Sequence, residues 1–321
     1  MARAAVFVTR RVPEAGLAVL RQRGVTFDLH DSDLAMSPEA LRAAAIGRRG
    51  LIVQMGDRID AALLESVAAT CRVVATVSVG FDHIDVTAAR RLGIVVTHTP
   101  NVLTETMADL TWALMLATAR RLGEAERDLR AGRWRGWGLE QYLGADVHGA
   151  TLGIVGGGRI GSAVARRAAG FDMRVLCCTR RAEASAMPAG VRFVDLATLL
   201  RESDYVSLHV PLTDQTRRLI GAAELALMKR TAFLINTSRG PVVDEAALIS
   251  ALREGRLAGA GLDVYENEPH VPAELPAMEH VVLLPHIGSA SRATREAMAR
   301  MAAQSVAAVL AGGTAENEVR A

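Results

Sequence analysis

Three polar groups able to handle a proton and an anion stand at the ends of apolar segments in the second half of the sequence. They are Arg239 in Asn-Thr-Ser-Arg-Gly at 236–240, Glu268 in a Glu-Pro pair shortly after Gly-Leu-Asp-Val at 261–264, and His286 in Pro-His-Ile-Gly at 285–288. A guanidinium can hold and polarise an anionic carbonyl compound, an imidazole can donate a proton near neutral pH, and a carboxylate can keep that imidazole oriented and protonated. Taken singly, each has an ordinary explanation: a solvated arginine, a structural histidine, a glutamate in a turn. At three successive segment ends they are expected to converge, because open parallel α/β sheets bind ligands at the carboxyl ends of their strands. Such a set suits the reduction of a 2-oxo acid, given a hydride source beside it.

A place for that source is written at 152–161, Leu-Gly-Ile-Val-Gly-Gly-Gly-Arg-Ile-Gly, where a short apolar strand runs into G-x-G-x-x-G and then into a helix predicted over 159–169. In a dinucleotide site Gly156 makes the tight turn, Gly158 lets the backbone approach a pyrophosphate, and Gly161 lets the helix pack close to the strand. Arg159 and Ile160 open the helix, whose unpaired N–H groups and positive dipole end face the phosphates. The next strand, 173–178, ends without the acid that accepts hydrogen bonds from the adenosine ribose in NAD-selective sites; Thr179, Arg180 and Arg181 follow instead. With no carboxylate to repel a 2′-phosphate and two guanidiniums to grip it, NADPH is the expected cofactor and NADH the alternative.

These residues need elements to position them. Strands predicted at 4–9, 26–30, 51–53, 73–76 and 94–97 alternate with helical stretches at 14–23, 38–45 and 61–69, the pattern of a parallel sheet with right-handed crossovers. Two helices follow at 104–119 and 123–132. A second alternating run begins at 151, with strands at 205–209, 232–236, 259–263 and 281–284 and a helix at 244–254, and a long helix at 292–311 ends the pattern. The fold class expected is α/β: two doubly wound parallel-sheet domains with a cleft between them. A flavodoxin-like substrate-binding domain is drawn from 1–99 and 288–321, and a Rossmann-type dinucleotide-binding domain from 100–287.

Composition sets limits on partners. The 321 residues carry 37 Lys plus Arg against 35 Asp plus Glu, a formal charge of +2, which gives no electrostatic case for nucleic acid or an anionic membrane. Lys229 is the only lysine, a uniform arginine bias rather than a basic patch. Three cysteines, two of them neighbours in an apolar strand, cannot form a disulfide framework and suit a reducing compartment. The most apolar helical stretch, 107–119, includes Asp109 and is too short to span a bilayer. No signal-peptide pattern precedes the first strand, so the expected location is cytoplasmic. No metal cluster is expected.

The chain resembles the D-isomer-specific 2-hydroxyacid dehydrogenase family, and within it the glyoxylate/hydroxypyruvate reductases. The match is carried by Val-Ser-Val-Gly-Phe-Asp-His-Ile-Asp at 77–85, the glycine turn, 236–240, Ala-Gly-Leu-Asp-Val at 260–264, Glu268-Pro269 and Leu-Pro-His-Ile-Gly-Ser-Ala at 284–290. The resemblance implies that Arg239 binds the substrate carboxylate and carbonyl, that Glu268 pairs with His286, and that His286 is the acid/base. It implies also that the Val79 and Gly80 amides hold the carboxylate, closing a small anion site when the domains close. Asp263, by the same match, contacts the nicotinamide carboxamide, and Pro211 and Thr237 are expected to line the cofactor. The segment carrying Trp134 and Trp137 matches a dimerisation arm, with Trp137 reaching the partner's active site, so a homodimer is expected. Two departures stand out: Gly157 replaces a larger apolar residue, and Gln-Met-Gly-Asp at 54–57 has no confident match. Glu268 argues against formate dehydrogenases, which pair the histidine with glutamine, and 77–81 lacks the lysine of the phosphite enzyme. Phosphoglycerate dehydrogenases often carry a regulatory domain that this sequence does not show. The alternatives are another D-2-hydroxyacid dehydrogenase using NADH, or a non-catalytic dinucleotide-sensing corepressor, against which the near-neutral charge weighs.

Overall fold

Runs such as Gly-Leu-Ile-Val and Val-Val-Ala-Thr do not alternate apolar with polar residues, and a strand of this kind is stable only when both of its faces are covered. The computed structural model, which describes residues 4–180 and 187–319, buries them in that way. The chain divides into two units, Met1–Leu103 with Ser289–Ala321, and Thr104–Gly288.

In the first unit β1 (Val6–Val8), β2 (Phe27–Leu29), β3 (Gly50–Val53), β4 (Val73–Thr76) and β5 (Val95–Thr97) form a parallel sheet in the order β2-β1-β3-β4-β5, the flavodoxin-like order. The last helix, Arg292–Leu310, belongs to this unit, and its Ala299, Ala302, Ala303 and Val306 pack with Val6, Val8 and Val73 of the strands. Helix starts are set by short polar caps: Asp60 and Asp85 accept from the N–H groups of Leu63 and Ala88 at 2.9 and 2.8 Å.

The second unit holds β6 (Thr151–Val155), β7 (Arg174–Cys178), β8 (Arg192–Phe193), β9 (Tyr205–Leu208), β10 (Phe233–Asn236), β11 (Gly259–Leu262) and β12 (Val281–Leu283). The order is β12-β11-β10-β9-β6-β7-β8, all parallel, and the direction of winding reverses between β6 and β9. That reversal is where an open α/β sheet leaves a crevice for a ligand. The apolar helix Thr104–Ala119 lies in the core of this unit: buried Trp112 stacks on Phe171 with centroids 4.6 Å apart, and its indole N–H donates to Val164 O at 3.1 Å. No helix among the described residues is long and apolar enough to cross a membrane.

Most strands are a residue or two shorter than the sequence pattern predicts. β8, absent from that pattern, has only two residues, both exposed.

Candidate active site

Strand register puts the site residues on one edge. Val155 pairs with Cys178 and with Leu208, Leu208 with Asn236, Asn236 with Leu262, and Leu262 with Leu283. The residues that follow these six, among them Gly156, Thr179, Thr237 and Asp263, therefore leave the sheet from one level.

The glycine turn after β6 meets the steric demands of a phosphate site. Gly156 has φ +106°, and a Cβ there would lie 2.6 Å from His209 O. At Gly161 a Cβ would lie 2.1 Å from Gly156 O, so only glycine lets helix Arg159–Ala168 start this close to β6. A Cβ at Gly158 would meet nothing within 4 Å, leaving the backbone open to approach. The first bond into the helix runs from Ser162 N–H to Gly158 O at 2.9 Å, so the N–H groups of Arg159, Ile160 and Gly161 precede the helical ladder. These features fit a dinucleotide pyrophosphate. Gly157, the departure from the family pattern, sits where a Cβ would lie 3.2 Å from Cys177 Sγ and 3.3 Å from Thr179 Cβ, so a larger residue would need both neighbours to give way.

Beyond β7, Thr179 is half-buried and exposed Arg180 donates to the Gln215 side chain. Asp195 acts electrostatically on Cys178, and its carboxylate accepts from the N–H and the hydroxyl of Thr198, both at 2.8 Å. Arg181 lies outside the described residues. Pro211 is exposed, its carbonyl accepting from Thr216 Oγ1 at 2.6 Å. Thr237 is buried, 3.0 Å from Thr111 Oγ1; Thr111 spends its single hydroxyl proton on Met107 O, so Thr237 is the donor of that pair.

Arg239 is held by an Asx turn that the sequence reading missed. Asn236 Oδ1 accepts from the Ser238 N–H and hydroxyl at 3.0 and 2.8 Å, and its Nδ2 donates to Arg239 O at 3.0 Å. Gly240 then packs against backbone: a Cβ there would lie 1.9 Å from Tyr265 O.

The same Tyr265 N–H donates to Glu268 Oε1 at 3.1 Å, while Glu268 Oε2 lies 2.7 Å from His286 Nδ1. Burial opposes ionisation of Glu268. The hydrogen bond and charge of His286, the Tyr265 N–H and the charge of Arg239 outweigh it and hold the carboxyl below its ordinary range. The influence of Arg239 places it near the pair. Burial pushes the Tyr265 phenol up to about 12, and it donates to Leu284 O at 2.9 Å.

Fully buried Asp263 anchors the histidine loop from below. Its carbonyl accepts the His286 N–H at 2.9 Å, and its two carboxylate oxygens accept the Ile287 and Gly288 N–H groups, each at 2.8 Å. Burial raises its pKa against those two bonds. An apolar cavity of about 320 Å³ adjoins the pair, lined by Val271, Pro276 and Leu283 among others.

Arg239, Asp263, Glu268 and His286 thus lie together in the second unit, with the glycine turn on the same sheet edge. Val79 and Gly80 belong to the loop after β4 in the first unit. Trp137 lies in an irregular segment, 82% exposed.

Residues 112–288 match the model of the D-isomer specific 2-hydroxyacid dehydrogenase NAD-binding domain. A glyoxylate reductase of Korarchaeum cryptofilum is 49% identical over 98% of this chain and 95% of its own. Among solved structures, a Thermus thermophilus protein is 47% identical with a TM-score of 0.92, covering 98% of this chain and 99% of that one. The NADPH-dependent glyoxylate/hydroxypyruvate reductase of Sinorhizobium meliloti, solved with NADP and malonate, is 34% identical with a TM-score of 0.87, over 99% of this chain and 97% of that one. With this match in sequence and in fold, the chain belongs to the D-isomer specific 2-hydroxyacid dehydrogenases and is an NAD(P)-dependent oxidoreductase.

Proposed function

We propose that the protein reduces a small 2-oxo acid, glyoxylate or hydroxypyruvate, to the D-2-hydroxy acid with NADPH, His286 donating the proton. The observation that carries this is the 2.7 Å contact between His286 Nδ1 and Glu268 Oε2. A carboxylate accepts, so Nδ1 holds the proton of that bond, and Nε2 is the ring atom left to serve a carbonyl oxygen. When bound, the dinucleotide supplies the hydride for the carbonyl carbon. Arg239 holds and polarises the substrate, Glu268 keeps the imidazole oriented, and Asp263 fixes the loop from which the imidazole projects and is assigned to the carboxamide of the cofactor. The Val79 and Gly80 N–H groups are assigned to the substrate carboxylate.

Two things support NADPH: the absence of an acid at 178–180 and the NADP bound in the Sinorhizobium meliloti reductase. Arg159, Ile160, Pro211 and Thr237 are assigned to the cofactor with the three glycines, and Thr179, Arg180 and Arg181 to its 2′-phosphate. A homodimer with Trp137 completing the partner's site is the proposed assembly, supported by the exposure of Trp137, and a cytoplasmic location by the free thiols Cys71, Cys177 and Cys178. The decisive experiment is a panel of 2-oxo acids assayed with NADPH and NADH. Glyoxylate or hydroxypyruvate with NADPH should give the highest kcat/KM; higher values with NADH, or only with bulky 2-oxo acids, overturn the reading.

A further inference from the structure

In the loop after β4, three successive peptide units have their carbonyls tied down. Ser78 O accepts from the Thr99 N–H at 2.8 Å, Val79 O lies 2.8 Å from His98 Nδ1, and Gly80 O accepts from Ser78 Oγ at 2.6 Å. In a trans peptide the N–H points opposite to the C=O of the same unit, and these units are trans. The N–H groups of Val79 and Gly80 are therefore aimed away from their anchors, and among the described residues neither donates to a protein group. Two adjacent N–H groups left without a protein acceptor are available to an anion.

Of the anchors on Ser78 O and Val79 O, only one is a side chain. A carbonyl oxygen can only accept, so His98 Nδ1 carries a proton in its contact with Val79 O. The ring is braced edge-on by Phe81, centroids 5.6 Å apart. The backbone of His98 is held in turn by the C-terminal segment: its N–H donates to Asn317 O at 3.2 Å, and its carbonyl accepts from Asn317 Nδ2. Asn317 Oδ1 accepts from Ser305 Oγ of the last helix at 2.6 Å, and Thr97 bridges Glu318 in antiparallel fashion.

We propose that His98 and Asn317 are positioning residues for the 2-oxo acid: His98 fixes the Val79 carbonyl so that the Gly80 N–H points at the substrate carboxylate, and Asn317 fixes His98. The proposal rests on assigning that carboxylate to Val79 and Gly80. Loss of the His98 N–H frees the Val79 carbonyl and lets the peptide plane turn, misdirecting one hydrogen bond to a charged group.

The test is steady-state kinetics of the full chain with NADPH and glyoxylate, with thermal melting as the check on folding. His98→Ala should raise the glyoxylate KM about ten-fold, the size of one such hydrogen bond, with kcat and the NADPH KM within about two-fold of wild type. His98→Asn, whose amide N–H stands where Nδ1 stood, should recover most of the loss, and Asn317→Ala should fall between. A glyoxylate KM in His98→Ala close to wild type, or equal losses in His98→Ala and His98→Asn, overturns the proposal. Should His98→Ala not fold, a wild-type KM in Asn317→Ala overturns it equally. Gly80→Pro, which deletes the N–H, separates the two readings. If it raises the glyoxylate KM while His98→Ala does not, the carboxylate assignment stands and the positioning role falls; if it too leaves KM unchanged, the assignment itself is wrong.

Discussion

His286 adopts φ +53°, a conformation that costs a non-glycine residue of order 1–3 kcal/mol and persists only where its surroundings impose it. Here they do, because the N–H groups of His286, Ile287 and Gly288 are all spent on Asp263. The imidazole is thus aimed by its backbone and then oriented by Glu268. His286→Ala should lower kcat by about 10²–10⁴-fold while dinucleotide affinity, read by fluorescence titration, stays near wild type. Glu268 lends itself to a pH test. Its carboxyl is held below the ordinary range, so its interaction with His286 is complete above that range and is lost as pH falls through the lowered value. Glu268→Gln removes the charge and leaves one acceptor oxygen for two donors, the Tyr265 N–H and His286 Nδ1, so one of those two bonds is lost as well. An imidazolium without its anionic partner releases its proton at lower pH, so the alkaline limb of the reductive pH–rate profile should move toward acid. A profile that superimposes on the wild type would show that the pair does no protonic work.

At the scale of elements, what was legible in the sequence is what a strand end announces. Arg239, Glu268 and His286 stand out because they are polar residues in the loops that leave successive apolar strands at one end of the sheet, and the glycine turn because backbone crowding at 156 and 161 admits nothing larger. Asn236 and Tyr265 were not legible. Their work is done through an Asx turn and a backbone-to-backbone contact with Gly240, neither of which leaves a periodic trace. The two-residue β8 was invisible for the same reason: with both residues exposed it has no apolar alternation to read. The β7 terminus carries a prediction of its own. Arg180→Ala should weaken NADPH by about 1.5–3 kcal/mol, the loss of one charge-assisted bond, and leave NADH nearly unchanged. Equal effects on the two dinucleotides in an isothermal titration would remove Arg180 from the 2′-phosphate.

For the whole molecule, the informative surface is the segment after the buried helix Thr104–Ala119. Leu129 is 61% exposed, Trp137 82%, Leu139 76% and Leu143 62%, a concentration of large apolar side chains unusual for a surface that meets only water. The segment is not loose. Asp128 accepts from the Tyr142 hydroxyl at 2.8 Å and from Arg133, interactions that pull its carboxyl below the ordinary range, so the exposed side chains project from a tied backbone. Aromatic residues presented in this way are favoured at interfaces, where a rigid ring loses little entropy on burial. The chain should therefore sediment as a dimer at assay concentrations. Trp137→Ala should raise the KM for the 2-oxo acid several-fold while the KM for NADPH stays within about two-fold, because an aromatic anchor truncated at a shared site affects only the ligand it touches. If the variant remains dimeric with both constants unchanged, Trp137 covers surface without reaching the partner's site. An active wild-type monomer in sedimentation would remove the shared site altogether, and the full reaction would then have to be carried by one chain.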